Sequence, residues 1–333
     1  MRSKRVQNLI FGVVVTAFFC LALWNGKADG QEKKYPNKPI DVIIHFAAGG
    51  PTDVWTRIVV NELEKELGTT LSIQYKPGAG GMIGAAYVTK QKPDGYTLLI
   101  GSMSSLVSAP FLEAEEAPYD VLKDFTPIAS CIVAPNVIAV QSSSNFKSLD
   151  DVVKFAKEKP GVLNCSTAGA GTTAHLVLTV LKMHGVDITP VPAKGGNPAT
   201  ISLLGKHVDL ASVMYNAPAP HVKSGELRLL AATDKIAQHP EVPTLRELGY
   251  PGTESLGSLQ GFLGPAGLPK PIRDQLCGPI QKVLQIPSIK ASLEGAGFTV
   301  IYMGPDELKK KIADDYATID KIAKAAKLGK YAK

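Results

Sequence analysis

Short runs of aliphatic and β-branched residues alternate along this chain with stretches of helical periodicity, and glycine-rich turns join them. Residues 40–46 read as a buried strand. Residues 52–67 read as a helix, because Trp55, Val59, Leu63 and Leu67 recur at every fourth position. The same alternation continues with a strand at 70–75, a helix at 82–90 and a strand at 96–101. An extended segment follows at 132–141. Ser148-Leu-Asp-Asp151 has the form of a capping box opening a helix to 159. A strand at 162–167 leads to a helix at 173–184, closed by Gly185 at its C′ position. Strands at 188–192, 208–214 and 227–232 follow, with a short helix to 205 that Asn197 and Pro198 start as N-cap and N1. Two helices end the chain, 271–284, kinked at Pro279, and 305–328. Strands and helices at this spacing specify an α/β fold of mainly parallel sheets flanked by helices. The units fall into two groups, before and after about Val133. The terminal helices need a sheet to cover, so they are expected to return to the first group. The chain then crosses between two lobes twice.

The N-terminus reads as a targeting segment. Arg2, Lys4 and Arg5 precede an apolar run from Leu9 to Trp24, and Ala28-Asp29-Gly30 offers small residues for cleavage. This is the pattern of a secretory signal peptide, residues 1–30. A retained membrane anchor is the alternative, although the run is shorter than the ~20 residues of a spanning helix. The formal charge of +6 owes much to this segment. Without it, 32 basic residues stand against 29 acidic ones. That balance carries no nucleic-acid footprint. The lysines near the C-terminus read as the solvated face of a helix.

The chemistry-bearing segments are three glycine loops. Phe46-Ala-Ala-Gly-Gly-Pro-Thr-Asp53 joins a strand to a helix, and so does Ser166-Thr-Ala-Gly-Ala-Gly-Thr-Thr-Ala-His175. Small residues let a ligand approach the backbone. A helix start then offers unpaired N–H groups and the positive end of the dipole, which suits an anion. Gly169 to Ala174 matches G-x-G-x-x-G/A, but the next strand ends in Pro-Ala-Lys rather than an acid, which removes the dinucleotide reading. Neither loop has a P-loop ending. The third, Lys76-Pro-Gly-Ala-Gly-Gly-Met-Ile-Gly84, reads as a structural turn, with backbone packed closely against the first loop as the alternative. No histidines lie at metal-ligand spacing with a third ligand, no G-x-S-x-G elbow occurs, and no cofactor is implied. His45 reads as a packed side chain beside the first loop, and His175 stands at a helix start. Cys131, Cys165 and Cys277 allow at most one disulfide, and their spacing does not pair them.

The ordered set of motifs resembles the Bug-type solute receptors, the extracytoplasmic binding proteins of tripartite tricarboxylate transporters. The resemblance is carried by Tyr35-Pro-Asn-Lys-Pro39, the loop from Phe46 to Asp53, Lys76-Pro-Gly-Ala-Gly-Gly81 with Gly84, and Pro93-Asp-Gly-Tyr-Thr-Leu98. It continues through Gly169-Ala-Gly171 with His175-Leu176, Val191-Pro192, Lys194-Gly195-Gly196, Val208-Asp209, Pro243-Thr244, Gly249 and Gly264-Pro-Ala-Gly-Leu-Pro269. The match is collinear from about residue 35 to the end.

The resemblance implies a two-lobed periplasmic binding protein, type II-like, with the ligand in the cleft between the lobes. It implies lobe 1 over 35–134, lobe 2 over 135–256 and a return to lobe 1 over 257–333. It implies a monomer that captures a small organic carboxylate, closes like a flytrap and delivers it to transporter membrane subunits. It implies no enzyme activity. By position, ligand contacts fall on Ala48, Gly49, Gly50 and Thr52, with Asp53 orienting the loop. On the other lobe they fall on Ser166, Thr167, Ala168, Gly169, Gly171 and Thr172. Ser102, Ser104 and Ser105 are carried over as ligand-facing hydroxyls, and Tyr215 and Asn216 as setting side-chain specificity. Three positions depart from the family pattern: His45 stands for Pro or Val, Ala193 for Tyr, and Gln260 for an aromatic. Each is expected to alter the shape or polarity of the pocket. An exported α/β hydrolase or transferase, and a receptor feeding a sensor kinase, are the alternatives.

Overall fold

A computed structural model describes residues 35–112 and 117–332. Residues 1–30, read above as a signal peptide, lie outside the described residues. The chain divides into two compact units, Met1–Asn37 and Lys38–Lys333. Of the first, only residues 35–37 are described, with a cis peptide between Tyr35 and Pro36. The second unit holds all the elements below.

Eleven strands form two sheets among the described residues. The first sheet takes β1 (Ile40–Ile44), β2 (Leu71–Tyr75), β3 (Thr97–Ser102), β4 (Phe125–Ala134), β10 (Ser258–Pro265) and β11 (Thr299–Val300), in the order β11-β4-β10-β3-β1-β2. The second takes β5 (Asn136–Gln141), β6 (Asn164–Thr167), β7 (Thr189–Pro192), β8 (Leu210–Met214) and β9 (Leu227–Ala232), in the order β7-β6-β8-β5-β9. The chain therefore passes between sheets at Pro135 and again between Ala232 and Ser258.

The sheets are mixed, which corrects the expectation of mainly parallel ones. β1 runs parallel to β2 and β3, and β6 to β7 and β8. However, β10 is antiparallel to both β3 and β4, and β5 to both β8 and β9. The strands entered directly after a crossing, β5 and β10, run from the opposite end of the sheet, so βαβ handedness does not govern them. The segment 132–141, read as one extended run, is two strands in different sheets. Pro135 separates them and offers no N–H to continue a ladder.

Helices cover both sheets. The helix α1 (Pro51–Leu67) buries Trp55, Val59 and Leu63 on the face its periodicity indicates. It is followed by α2 (Met82–Thr89), α3 (Leu149–Glu158) and α4 (Thr173–Met183). Ser148 and Asp151 form the expected capping box at the start of α3. Gly185, at φ 79°, closes α4 as expected. The helix α5 (Gly196–Leu204) begins earlier than expected. Its N-cap is Gly195, whose φ of 122° turns the chain, and Pro198 falls inside the first turn. There Pro198 forfeits no hydrogen bond. Ala199 and Leu203 of α5 pack with Val137, Ala139, Ala211 and Val213 of the second sheet. Three helices follow β10: α6 (Lys270–Gln285), α7 (Pro287–Gly295) and α8 (Pro305–Ala325). Both α6 and α8 pack on β4 of the first sheet. Among the described residues no helix is long and apolar enough to cross a membrane.

Candidate functional site

The registers place both glycine loops on one side. In the first sheet, Ser102 at the end of β3 lies opposite Gln260 near the start of β10, and Ala134 lies opposite Ser258. The loop after the parallel strand β1 is thus at the edge where the chain crosses. In the second sheet, Asn136 lies opposite Met214 and Val137 opposite Ala232, so β8 and β9 end at the crossing edge. The strand β6, parallel to β8, ends there too. Both loops flank the junction of the lobes.

The first loop turns at Gly49, whose φ is 78°, and enters α1 through Gly50 as N-cap. No side chain caps this helix. Pro51 has no N–H, and the amides of Thr52 and Asp53, in the first turn, have no intrahelical carbonyl to reach. The Asp53 carboxylate folds back over the turn. It accepts from the Gly49 N–H at 2.8 Å and from the Tyr75 hydroxyl at 2.7 Å, and pairs with Arg57 Nε at 2.9 Å. Burial pushes its pKa upward, but the Gly49 amide, the Tyr75 hydroxyl and the Arg57 guanidinium outweigh that and hold it below the usual carboxylate range. Ala48 and Gly49 are exposed, whereas Thr52 and Asp53 are buried.

The second loop ends in Thr172, the N-cap of α4. Its hydroxyl accepts from the His175 N–H at 3.3 Å and donates to the Gly169 carbonyl at 2.8 Å. Gly169 and Gly171 adopt φ values of 149° and 72°, a region that favours glycine. Ala168, Gly169, Gly171 and Thr172 are half-buried. The amides of Thr173 and Ala174 are left at this helix start.

Several candidate hydroxyls lie beneath the loops rather than on them. Ser166 is fully buried and donates to the Ala199 carbonyl at 2.8 Å. Thr167 is fully buried beside Gly169, its hydroxyl 3.4 Å from that carbonyl. Ser102 is buried and shares a 3.1 Å hydrogen bond with His45 Nε2. Ser104 and Ser105 begin a π-helical turn, Ser104–Ser108, and their side chains lie outside what is described. Tyr215 is buried, with its N–H on the Pro135 carbonyl and its ring edge-on to His239. Asn216 abuts Gly297 of the other lobe, where an added Cβ would stand 3.0 Å from the Asn216 Cα.

The third glycine segment packs against the end of β1. A Cβ at Gly84 would sit 2.8 Å from both the His45 Cβ and the Lys76 carbonyl, so glycine lets α2 lie against the end of β1. His45 itself is fully buried, and burial lowers its pKa to about 4. It is neutral when folded and takes a proton when unfolded between about pH 6.5 and 4. Stability therefore falls as pH falls through that window, by roughly 2–3 kcal/mol from this group. His45→Asn should shrink the difference in urea midpoint between pH 7 and pH 4.5; an unchanged difference would refute the assignment. Asp234, raised by burial to about 6, contributes with the opposite sign, but equally in both proteins.

Sequence reasoning missed two buried amides. Gln260 Oε1 accepts from the Thr52 hydroxyl at 3.0 Å and from Trp55 Nε1 at 2.7 Å. Asn136 Nδ2 donates to the Thr173 hydroxyl at 2.9 Å and to the Leu256 carbonyl at 2.6 Å. The Gln260 departure had been noticed as a change of pocket polarity, but nothing pointed to its partners. Asn136 carried no local signal.

Among the described residues no group of three or more His, Cys, Asp or Glu could hold a metal. Cys131 and Cys165 are buried, which pushes both thiols up, and Cys277 is raised to about 11. All three are free. A cavity of about 470 Å³ lies at the opposite end of the second sheet, against the starts of β9 and α3. It carries both signs of charge, from Arg228, Lys147, Asp150 and Glu241, and none of the candidate residues lines it. The loops, with their unclaimed helix-start amides, are the better site for an anion.

Comparison with known proteins identifies the family and the fold. A family profile described as tripartite tricarboxylate transporter family receptor matches residues 55–328. Protein BugT of Bordetella pertussis is 34% identical over 287 residues, covering 84% of this chain and 87% of BugT. A structure of an R. palustris protein with adipate superposes with a TM-score of 0.77 at 30% identity, covering 89% of this chain and 99% of that one. MatC from Rhodopseudomonas palustris with bound malate gives 0.73 at 28% identity, covering 86% and 99%.

Proposed function

The chain belongs to the tripartite tricarboxylate transporter receptor family, and from that premise we propose that it captures a small organic carboxylate between its two glycine loops. The observation that carries this reading is the placement of both loops, each ending in a helix start with unclaimed amides, at the crossing edges of the two sheets. Related proteins solved with adipate and with malate support a carboxylate as the ligand class. Ala48, Gly49, Gly50 and Thr52 offer the lobe 1 side of the clamp, with Asp53 holding the turn. Ala168, Gly169, Gly171 and Thr172 offer the lobe 2 side. Ser166, Thr167 and Ser102 support the loops from below. Ser104, Ser105, Tyr215 and Asn216 border the rest of the ligand.

No arginine stands in either loop, so backbone dipoles and neutral donors carry the anion. Hydrogen bonds to a charged group contribute roughly 1.5–3 kcal/mol each. Three or four of them suffice for micromolar binding, about −8 kcal/mol, after the costs of ordering and closure. A ligand gripped by both lobes favours the closed form and shifts the hinge equilibrium toward it. The lobes divide at residues 135 and 257. The protein works as a periplasmic monomer, exported by its N-terminal segment, and its closed form is read by the membrane subunits of the transporter. Hydrolase and transferase readings fall away, because the family is one of receptors.

Thermal unfolding against a panel of organic acids tests the proposal. An acid at 100 times its Kd adds about 2.7 kcal/mol and should raise the midpoint by several degrees. If no carboxylate moves the midpoint once any co-purified ligand is stripped, the receptor reading fails.

A further inference from the structure

The two buried amides occupy matching places. Asn136 is the first residue of β5, immediately beyond the crossing at Pro135, and Gln260 is the third residue of β10, where the chain has just returned. Each is 1% exposed. Each holds a threonine in the first turn of a loop-bearing helix: Asn136 holds Thr173 of α4, and Gln260 holds Thr52 of α1. The amide orientations follow from their partners. The Leu256 carbonyl can only accept, so it faces Nδ2 of Asn136, and the Trp55 indole can only donate, so it faces Oε1 of Gln260.

Asn136 also joins both crossings. Its backbone N–H donates to the Thr233 hydroxyl at 3.0 Å, and its carbonyl accepts from the Thr233 N–H at 2.8 Å. Thr233 directly follows β9, where the chain leaves lobe 2, and Leu256 lies just before β10. This one residue thus touches the start of the returning segment through its backbone, and the end of that segment and a clamp helix through its side chain. Its Oδ1 is buried without a hydrogen-bond partner among the described residues. A buried orphan acceptor costs stability that an apolar side chain of the same size would not. Its presence here argues for a role beyond packing.

We propose that Asn136 and Gln260 are a pair of positioning residues, each tying a hinge-proximal strand to the first turn of one clamp helix, so that movement between the lobes and grip on the ligand are mechanically linked. The linkage rests on the receptor reading above, in which those first turns hold the carboxylate. Lobe closure that shifts β5 or β10 carries the attached helix start with it. Conversely, a carboxylate drawing in either helix start pulls on the strand beside the crossing.

Two measurements on the full chain test this. Without any ligand, amide hydrogen exchange should accelerate at Thr52 to Trp55 in Gln260→Met and stay unchanged at Thr173 to His175. Asn136→Leu should show the reverse pattern. With adipate and malate as probes, calorimetric titration should give at least tenfold weaker binding for each variant. Leu259→Ala, a core change on the same strand as Gln260, should lower the melting temperature yet keep the affinity. Where Asn136→Leu does not fold, Thr173→Val breaks the same contact from the other side. Unchanged exchange at both helix starts overturns the proposal. So does a local exchange effect with full affinity, or an equal affinity loss in Leu259→Ala. If the wild-type chain binds neither acid, the panel of organic acids decides the carboxylate reading, and the exchange pattern alone decides whether the clasps exist.

Discussion

Replacing Gly261 with alanine should cost roughly 3 kcal/mol or more, at the upper end of what overpacking does. Gly261 stands in the middle of β10, between β3 and β4. A Cβ there would lie 2.2 Å from the Ala129 carbonyl oxygen and 2.7 Å from the Ser130 Cα. Both are backbone atoms, so no rotamer change relieves the clash. The register shows why the approach is so close. Gln260 faces Ile132 while Gly261 faces Ser130, leaving Cys131 as an extra residue in β4. Such a bulge bends the strand locally toward its partner. Urea unfolding should show the loss as a lower midpoint. Gly295→Ala, where an added Cβ meets nothing within 4 Å, should change little. If Gly261→Ala were as stable as the wild type, the packing of the central strand would be wrong as described.

Asp53→Ala should weaken carboxylate binding about 100-fold, equivalent to roughly 2.7 kcal/mol. The carboxylate is the strut of the first loop. It holds the Gly49 amide, and it ties the first turn of α1 to Tyr75 at the end of β2. Its pairing with Arg57 is a lesser contribution, because the arginine side chain is 55% exposed and solvent screens the pair. Without the strut the turn is free to leave the geometry that presents its amides. Asp53→Asn keeps one acceptor for Gly49 and should fall between the two. Acid should mimic the substitution. The folded pKa lies below the unfolded value, so this contribution is complete above about pH 4 and is lost as pH falls through the depressed value. Titration of adipate and malate into both variants checks the expectation, and wild-type affinity in Asp53→Ala would remove the first loop from the clamp.

Much of this could be seen in the chain itself. Helices announced themselves wherever one face was apolar, as with Trp55, Val59 and Leu63. The Ser148 capping box and the Gly185 stop marked ends correctly. The glycine loops stood out because glycines before a helix start are a local signal. The strand β10 was not legible. Its sequence, Ser-Leu-Gln-Gly-Phe-Leu-Gly-Pro, has two glycines and a proline, all poor in strands. Gly261 is there for a contact with Ala129, distant in the chain, so tertiary packing overrode local preference. The same holds for the clasps. Thr52 and Gln260 are 208 residues apart, and Asn136 and Leu256 are 120 apart. The placement of Ser166 was equally hidden. A hydroxyl at a loop start suggests a donor for a ligand, but the strand end buries it against Ala199.

The connectivity also dictates an order of assembly. The second sheet is built wholly from one continuous stretch, β5 to β9, whereas the first needs β10 to join β3 to β4. As the chain emerges from its N-terminus, β3 and β4 are made early but have no common neighbour until Pro265 has appeared. Lobe 2 is by then complete and free to fold. Once folded, it brings Ala134 and Ser258 side by side, sparing the first sheet the entropy of closing a long unstructured loop. The lobe that comes first in the sequence is therefore the last to be completed, and the inserted lobe acts as the template for its closure.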